Sequence, residues 1–444
     1  MSDDDAGAPG AGEPDDTGSG AGSGAGSGAG DGTPPATGGG TPSGPFGAGG
    51  GGGLGDLFGN LPMFGDLAKA LSGQGPLNWE AARQFATLSS TGGNAEANVD
   101  PQVRMSFDNL APIAEMHVRD VTGFELPPAQ LELTTPGVWA QRTLEAYRPL
   151  FTELAVSLGR QPSIEPDSDA DADPMMAMMA GLSQMMAPSM MGMAIGSMVG
   201  RLAARAFGQY DLPIPRDTRT MLILPASIDA FAADWSLPVD EMRLWVLAQE
   251  FIGHAVYSHA TVRETISGLV RQHVGAFRPD PGSVAEKLSS LDVDDGSDPM
   301  QAMQRALSDP EVLLGAVRSP EQISLAPVLD AATAAVVGYV DYRVDGVAAR
   351  LIGGDALRIA EAVRRRRVEA GGEDVFIERL LGMHITPAQV QRGKSFVGGV
   401  VDRAGDAALG SLFTRPDGLP TPAELDAPGL WLARLEIDTP ETPD

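Results

Sequence analysis

The sequence predicts a mainly α-helical protein with at most a short β element, and three observations carry that reading. Apolar residues at Leu244, Leu247, Phe251, Val256 and Val262 recur at helical spacing, which predicts one buried stripe. Proline, glycine and acidic clusters divide much of the chain into stretches of helical length. One run alone, Thr220 to Leu224 before Pro225, reads as a strand.

The 444 residues are 43% apolar, enough for a substantial core. A net charge of −28 argues against binding DNA, RNA or an anionic membrane, which need a basic face, so no nucleic-acid partner is expected. The absence of cysteine excludes disulfides, thiolate chemistry and thiolate metal sites. Met1-Ser2-Asp3-Asp4-Asp5 lacks the apolar centre of a signal peptide, so the expected location is cytoplasmic.

Residues 1–53 are Gly, Ala, Ser, Pro and Asp, too poor in apolar surface to offset ordering entropy, and are expected to be disordered. Residues 54–75 carry Phe58, Leu61, Met63, Phe64 and Leu67 and read as a short docking segment. The folded domain is expected over 76–436. Trp79 to Leu88 and Pro101 to Val118 read as helices. Pro127, Pro128 and Pro136 make 123–137 irregular. Trp139 to Leu158 reads as one amphipathic helix, followed by an acidic linker at 165–173.

Residues 175–200 hold ten of the chain's 19 methionines and no charge. Their length would pass for a membrane span, and Gly192, Gly196 and Gly200 form a small-residue packing pattern. Pro188, Gln184 and the scarcity of Leu, Ile, Val and Phe argue against a span. The expectation is a buried Met/Gly-rich hairpin over 174–200, two short helices broken near Pro188.

Asp240 to Phe277 reads as one long helix, opened by Asp240 and Glu241 at the positive end of its dipole. Asp280 to Pro299 follows as an acidic loop or lid, then short helices at 301–307 and 310–317. Pro327 to Ile352 is a long apolar helix closed by Gly353-Gly354. Ala356 to Ala370 contains Arg364-Arg365-Arg366-Arg367, expected to pair with the protein's own carboxylates. Stretches 374–381, 387–408 and 422–435 complete a helical C-terminal part, and 437–444 read as frayed.

Within the long helix stands Gln249-Glu250-Phe251-Ile252-Gly253, the frame of the zinc-protease motif His-Glu-x-x-His with neither histidine. With Gly208-Gln209-Tyr210-Asp211-Leu212-Pro213, Asp234-Trp235-Ser236-Leu237-Pro238, Leu244-Trp245-Val246, Gly338-Tyr339-Val340-Asp341, the arginine run and Leu419-Pro420-Thr421, the chain resembles the actinobacterial zincin-type hydrolases. These are often labelled zinc-dependent metalloproteases, with a sister group linked by name to deazaflavin-coenzyme biosynthesis. The resemblance runs from about Trp79 to Leu435 and implies a zincin-like fold. It further implies ligand positions at Gln249, Gly253 and Val337, with Glu250 as general base. All three ligand positions have changed.

Two histidines four residues apart on a helix share a face and can both reach one zinc. The ion lowers the pKa of bound water to about 7, where the glutamate can take its proton. Glutamine is a weak ligand, glycine offers no side chain and valine only carbon, so no zinc is expected and Glu250 is read as a vestigial base. Gly253 is expected to leave a hollow for water, a small ligand or a neighbouring side chain. A relocated metal site using Glu250, His254 and Asp341 or Asp345 is the alternative; a hydrogen-bonded Glu250–His254 pair is the plainer expectation. His259 and His273 are expected at a helix surface. The favoured function is a zinc-free pseudoenzyme whose cleft takes a peptide or protein segment. The alternatives are an active metal-dependent peptidase or hydrolase with rearranged ligands, and a scaffold that binds partners through its methionines.

Overall fold

A computed structural model describes residues 75–159, 174–278, 319–369, 371 and 374–437, with backbone alone for 174–184. The expected tail, docking segment, acidic linker, lid, two short helices at 301–317 and frayed end lie outside these, apart from Gly75 and Ile437. Asn78 caps α1 (Trp79–Thr91) by accepting the N–H groups of Glu80 and Ala81. Asp100 and Pro101 start α2 (Pro101–Thr122), which ends on Gly123 in the left-handed region.

Within the stretch read as irregular lies a strand, β1 (Gln130–Leu133), paired in parallel with β2 (Thr220–Ile223). The expectation missed β1 because its partner is distant in sequence and only four residues pair. The single helix expected over 139–158 divides at Tyr147 into α3 (Pro136–Ala146) and α4 (Arg148–Leu158). Pro149 lacks an N–H and fits only a first helical turn, which places the break.

The expected hairpin at 174–200 is instead one continuous helix, α5 (Pro174–Arg205), running through Pro188. Lost backbone bonding at a proline costs about 3 kcal/mol, and packing along α5 outweighs it. Gly192, Gly196 and Gly200 lie against α1, where a Cβ would come within 2.3, 2.2 and 2.5 Å of the carbonyl oxygens of Asn78, Ala82 and Ala86. The facing α1 positions, Ala82, Ala86 and Ser90, are small and buried. The glycine spacing therefore marks a helix crossing within the protein, while Met185, Met186 and Met190 are exposed.

The long helix expected over 240–277 is two: α7 (Val239–Ser258) and α8 (Ala260–Gly275). His259 is extended between them, its ring stacked on Phe413 at 5.5 Å. Neither it nor His273 is a free surface residue; His273 is only 2% exposed. Instead of one apolar stripe, α7 is buried on all sides from Trp245 to Tyr257, enclosed by α2, α6 (Pro225–Asp234) and α9 (Pro320–Leu351). Gly338 lets α9 meet α12 (Pro387–Ala404) backbone to backbone at Gly393. Among the described residues, α9 alone is long and apolar enough to cross a membrane, and 61% of its most apolar window is buried.

After α9 come α10 (Ala356–Glu369), α11 (Phe376–Leu380), α12, α13 (Ser411–Thr414), α14 (Pro422–Asp426) and α15 (Pro428–Ile437). The stretch expected as one helix over 422–435 thus divides at Ala427. Gly196→Ala is expected to lower the urea midpoint and melting temperature sharply. Gly268→Ala, on α8 with nothing among the described residues within 4 Å of the added carbon, is expected to raise stability by about 0.5–1 kcal/mol. Equal effects of the two would contradict the close crossing.

Candidate functional site

The frame Gln249 to Gly253 sits at the centre of α7, where every residue is buried. A cavity of about 60 Å³ lies beside it, lined among others by Gln249, Tyr257, Val337, Val340 and Asp341. The positions implied for the first and third ligands therefore meet at one cavity. The second does not reach it. Gly253 is covered by Tyr210, and a Cβ at 253 would lie 3.0 Å from the phenol ring.

Tyr210 is fixed on three sides. Its ring stacks on Tyr257 at 5.2 Å, nearly coplanar. Its hydroxyl meets His254 Nδ1 at 2.9 Å. Its backbone N–H donates to Glu250 Oε2 at 3.1 Å, beside the N–H of Gln209 at 2.9 Å. Of the occupants expected for the hollow at Gly253, the neighbouring side chain is the one present.

Glu250 is fully buried and serves the turn at 207–211. Gly208 lies so close over the carboxyl that a Cβ there would be 2.3 Å from Glu250 Cδ. The same turn is held from its other side. Phe207 and Gly208 donate N–H groups to Asp211 Oδ2 at 2.5 and 3.0 Å. Trp139 donates its indole N–H to the Gly208 carbonyl at 3.0 Å, and Arg366 donates to Asp211 at 2.6 Å while lying over the Phe207 ring.

Burial, reinforced by the charge of Asp211, pushes the Glu250 carboxyl well above the usual carboxylate range, and its two N–H donors offset only part of this. Burial acts on Asp211 in the same direction, but Arg366 and the N–H donors outweigh it and hold that carboxyl below its ordinary value. Burial lowers His254, keeping its imidazole neutral to lower pH.

The expected Glu250–His254 pair does not form, because each side chain is held by the 209–210 turn instead. Asp341 takes Arg367 at 3.1 Å and Arg364 at 3.6 Å. Asp345 takes Arg364 at 2.7 Å. With Arg365 on Glu369 and Arg366 on Asp211, the whole arginine run is spent on the protein's own carboxylates. Arg343 turns to Asp406 and Tyr339, away from these aspartates.

An amide, a bare glycine under a tyrosine ring and a hydrocarbon make a donor set that does not fit zinc. Among the described residues, no group of three or more His, Asp or Glu comes together to hold a metal. Sequence reasoning used Gly208 and Tyr210 only as part of the resemblance and Arg366 only as part of a self-pairing run, and gave none of them a place at the site. The available signal was the Gly208-Gln209-Tyr210-Asp211 turn, with an aromatic residue ready to cover a helical glycine.

A helical domain with one short parallel strand pair and a glutamate-bearing central helix defines the class. The zincin-like metallopeptidase family matches residues 77–432, and the chain belongs to that family. The fold is also that of a solved structure from Chloroflexus aurantiacus described as "a putative hydrolase with a novel fold". The two chains are 21% identical with a TM-score of 0.51, over 81% of this chain and 99% of the other. No curated protein matches the chain.

A carboxyl whose pKa is raised by folding adds stability below its ordinary value of about 4.3 and loses it as pH rises through the folded value. Glu250→Gln, which keeps an acceptor for the two N–H groups and cannot ionise, is expected to gain stability relative to the unaltered protein between pH 4.5 and 8. Urea midpoints at the two pH values measure this, and a relative loss over that range would contradict it. Glu250→Ala leaves two buried donors unmet and is expected to cost about 1–3 kcal/mol for each.

Proposed function

We propose that this protein is a zinc-free member of its family that keeps the fold and the cleft as a binding or regulatory module. The observation that supports the reading best is the ring of Tyr210 over Gly253, which leaves no room for an imidazole at that position. Without a metal, water stays near its bulk pKa of about 15.7, far beyond the reach of a carboxylate. Glu250 is moreover occupied by two backbone donors.

The cleft sets one unmet acceptor between valines and ion-paired side chains. Gln249 Oε1 is buried without a hydrogen-bond partner among the described residues, in a cavity lined by Val337 and Val340 and by Asp341, Arg366 and Arg367. The unmet acceptor suits an N–H donor such as a polypeptide segment supplies, and the cavity of about 60 Å³ takes one small group of it. The peptidase family to which the chain belongs supports that occupant by analogy. An acidic, cysteine-free protein suits the cytoplasm.

Calorimetric zinc titration tests this reading. The unaltered protein is expected to show no stoichiometric site. A variant combining Gln249→His, Gly253→His, Val337→Glu and Tyr210→Gly is expected to gain one. A single tight zinc site in the unaltered protein, abolished by His254→Ala, would overturn the proposal in favour of an active enzyme with rearranged ligands.

A further inference from the structure

A second concavity, of about 460 Å³, lies on another face of α7 and has no part in the cleft described above. Phe251 and His254 line it from α7, whereas Gln249 and Tyr257 line the cleft. At 100° per residue Gln249 and Phe251 point about 160° apart around the helix, while His254 and Tyr257 lie only about 60° apart. Pro127 and Pro128 form the facing wall, and Arg219 stands at the groove just before β2.

His254 is the informative residue. It is 4% exposed, and its Nδ1 is held by the Tyr210 hydroxyl at 2.9 Å. Where the phenol donates its hydrogen to Nδ1, the neutral ring carries its own proton on Nε2. Nε2 has no partner among the described residues, although the imidazole lines the groove. A ligand acceptor in the groove would supply that nitrogen with a partner.

The charges around it are uneven. Arg119 is neutralised by Glu115 at 2.6 Å. Arg219 is exposed and forms no ion pair among the described residues. In a chain of net charge −28, this leaves a locally basic groove with apolar walls. Its volume lies in the usual range for small-molecule sites.

We propose that this groove binds a carboxylate carried on an apolar body, with the carboxylate between His254 Nε2 and the Arg219 guanidinium. The apolar part lies on Phe251 and the two prolines. An anion is favoured because the two groups it would meet, the imidazole N–H and the guanidinium, are both donors. The groove shares no lining residue with the zinc-type cleft, but the inference rests on the metal-free reading in one respect, since a metal held by His254 would occupy the same imidazole.

Calorimetry with 4-phenylbutyrate and its neutral amide tests the site on the full-length protein, with ¹⁵N-histidine spectra to locate binding. Saturable binding of the acid is expected, with movement of the His254 ring-nitrogen signals and at least tenfold weaker binding of the amide. Arg219→Gln changes an exposed side chain, so the variant is expected to keep the melting temperature and to bind the acid about tenfold less tightly. An acetylated tetrapeptide with a free C-terminal phenylalanine carboxylate separates the two sources of such a group. Tighter binding than 4-phenylbutyrate assigns the groove to chain ends, and weaker binding to free acids. Absence of saturable acid binding, equal binding of acid and amide, or unchanged affinity in Arg219→Gln would overturn the proposal.

Discussion

The carboxyl of Glu250, gripping the backbone of residues 209 and 210, is the contact on which the site is built. It lies fully buried at the centre of α7 and meets the turn at the one place where glycine removes the obstacle of a Cβ. Once the turn is held there, Tyr210 has little choice of position. Its ring falls over Gly253, its hydroxyl reaches His254, and Tyr257 stacks against it. A residue with the frame of a general base thus acts as the clamp that closes the helix face beside it.

The surrounding charges follow from the same arrangement. Asp211 accepts the neighbouring N–H groups on the turn's other side and is matched by Arg366, whose guanidinium lies over Phe207. Arg364 and Arg367 meet Asp341 on α9, beside the cavity. Buried ion pairs of this kind are costly to break singly, because the partner is left charged in a poor solvent. They tie α10 to α9 and to the turn beside the cleft.

The sequence exposed the parts of this arrangement that depend on local chemistry. The 249–253 frame, the β2 strand, the self-neutralising arginine run and the packing value of the glycine spacing were all legible in it. Other features depend on partners far along the chain. β1 exists because β2 pairs with it, and nothing in Gln130 to Leu133 alone outweighs the prolines before it. α5 continues through Pro188 because α1 supplies a surface for three glycines, a surface that periodicity does not reveal. The break at His259 has no proline or glycine to announce it and rests on aromatic neighbours from elsewhere in the chain. Glu250 and His254 share a helical face, yet competition from the turn decides their partners.

The central claim is that Tyr210 and Glu250 have closed the face of α7 to zinc. Crystals grown with excess zinc and measured on both sides of the zinc absorption edge give the most direct reading. The account predicts no anomalous peak within coordination distance of Gln249, Glu250 or His254, with the Tyr210 ring in place over Gly253. A peak between α7 and α9 at about 2.0–2.2 Å from nitrogen or oxygen donors would contradict it.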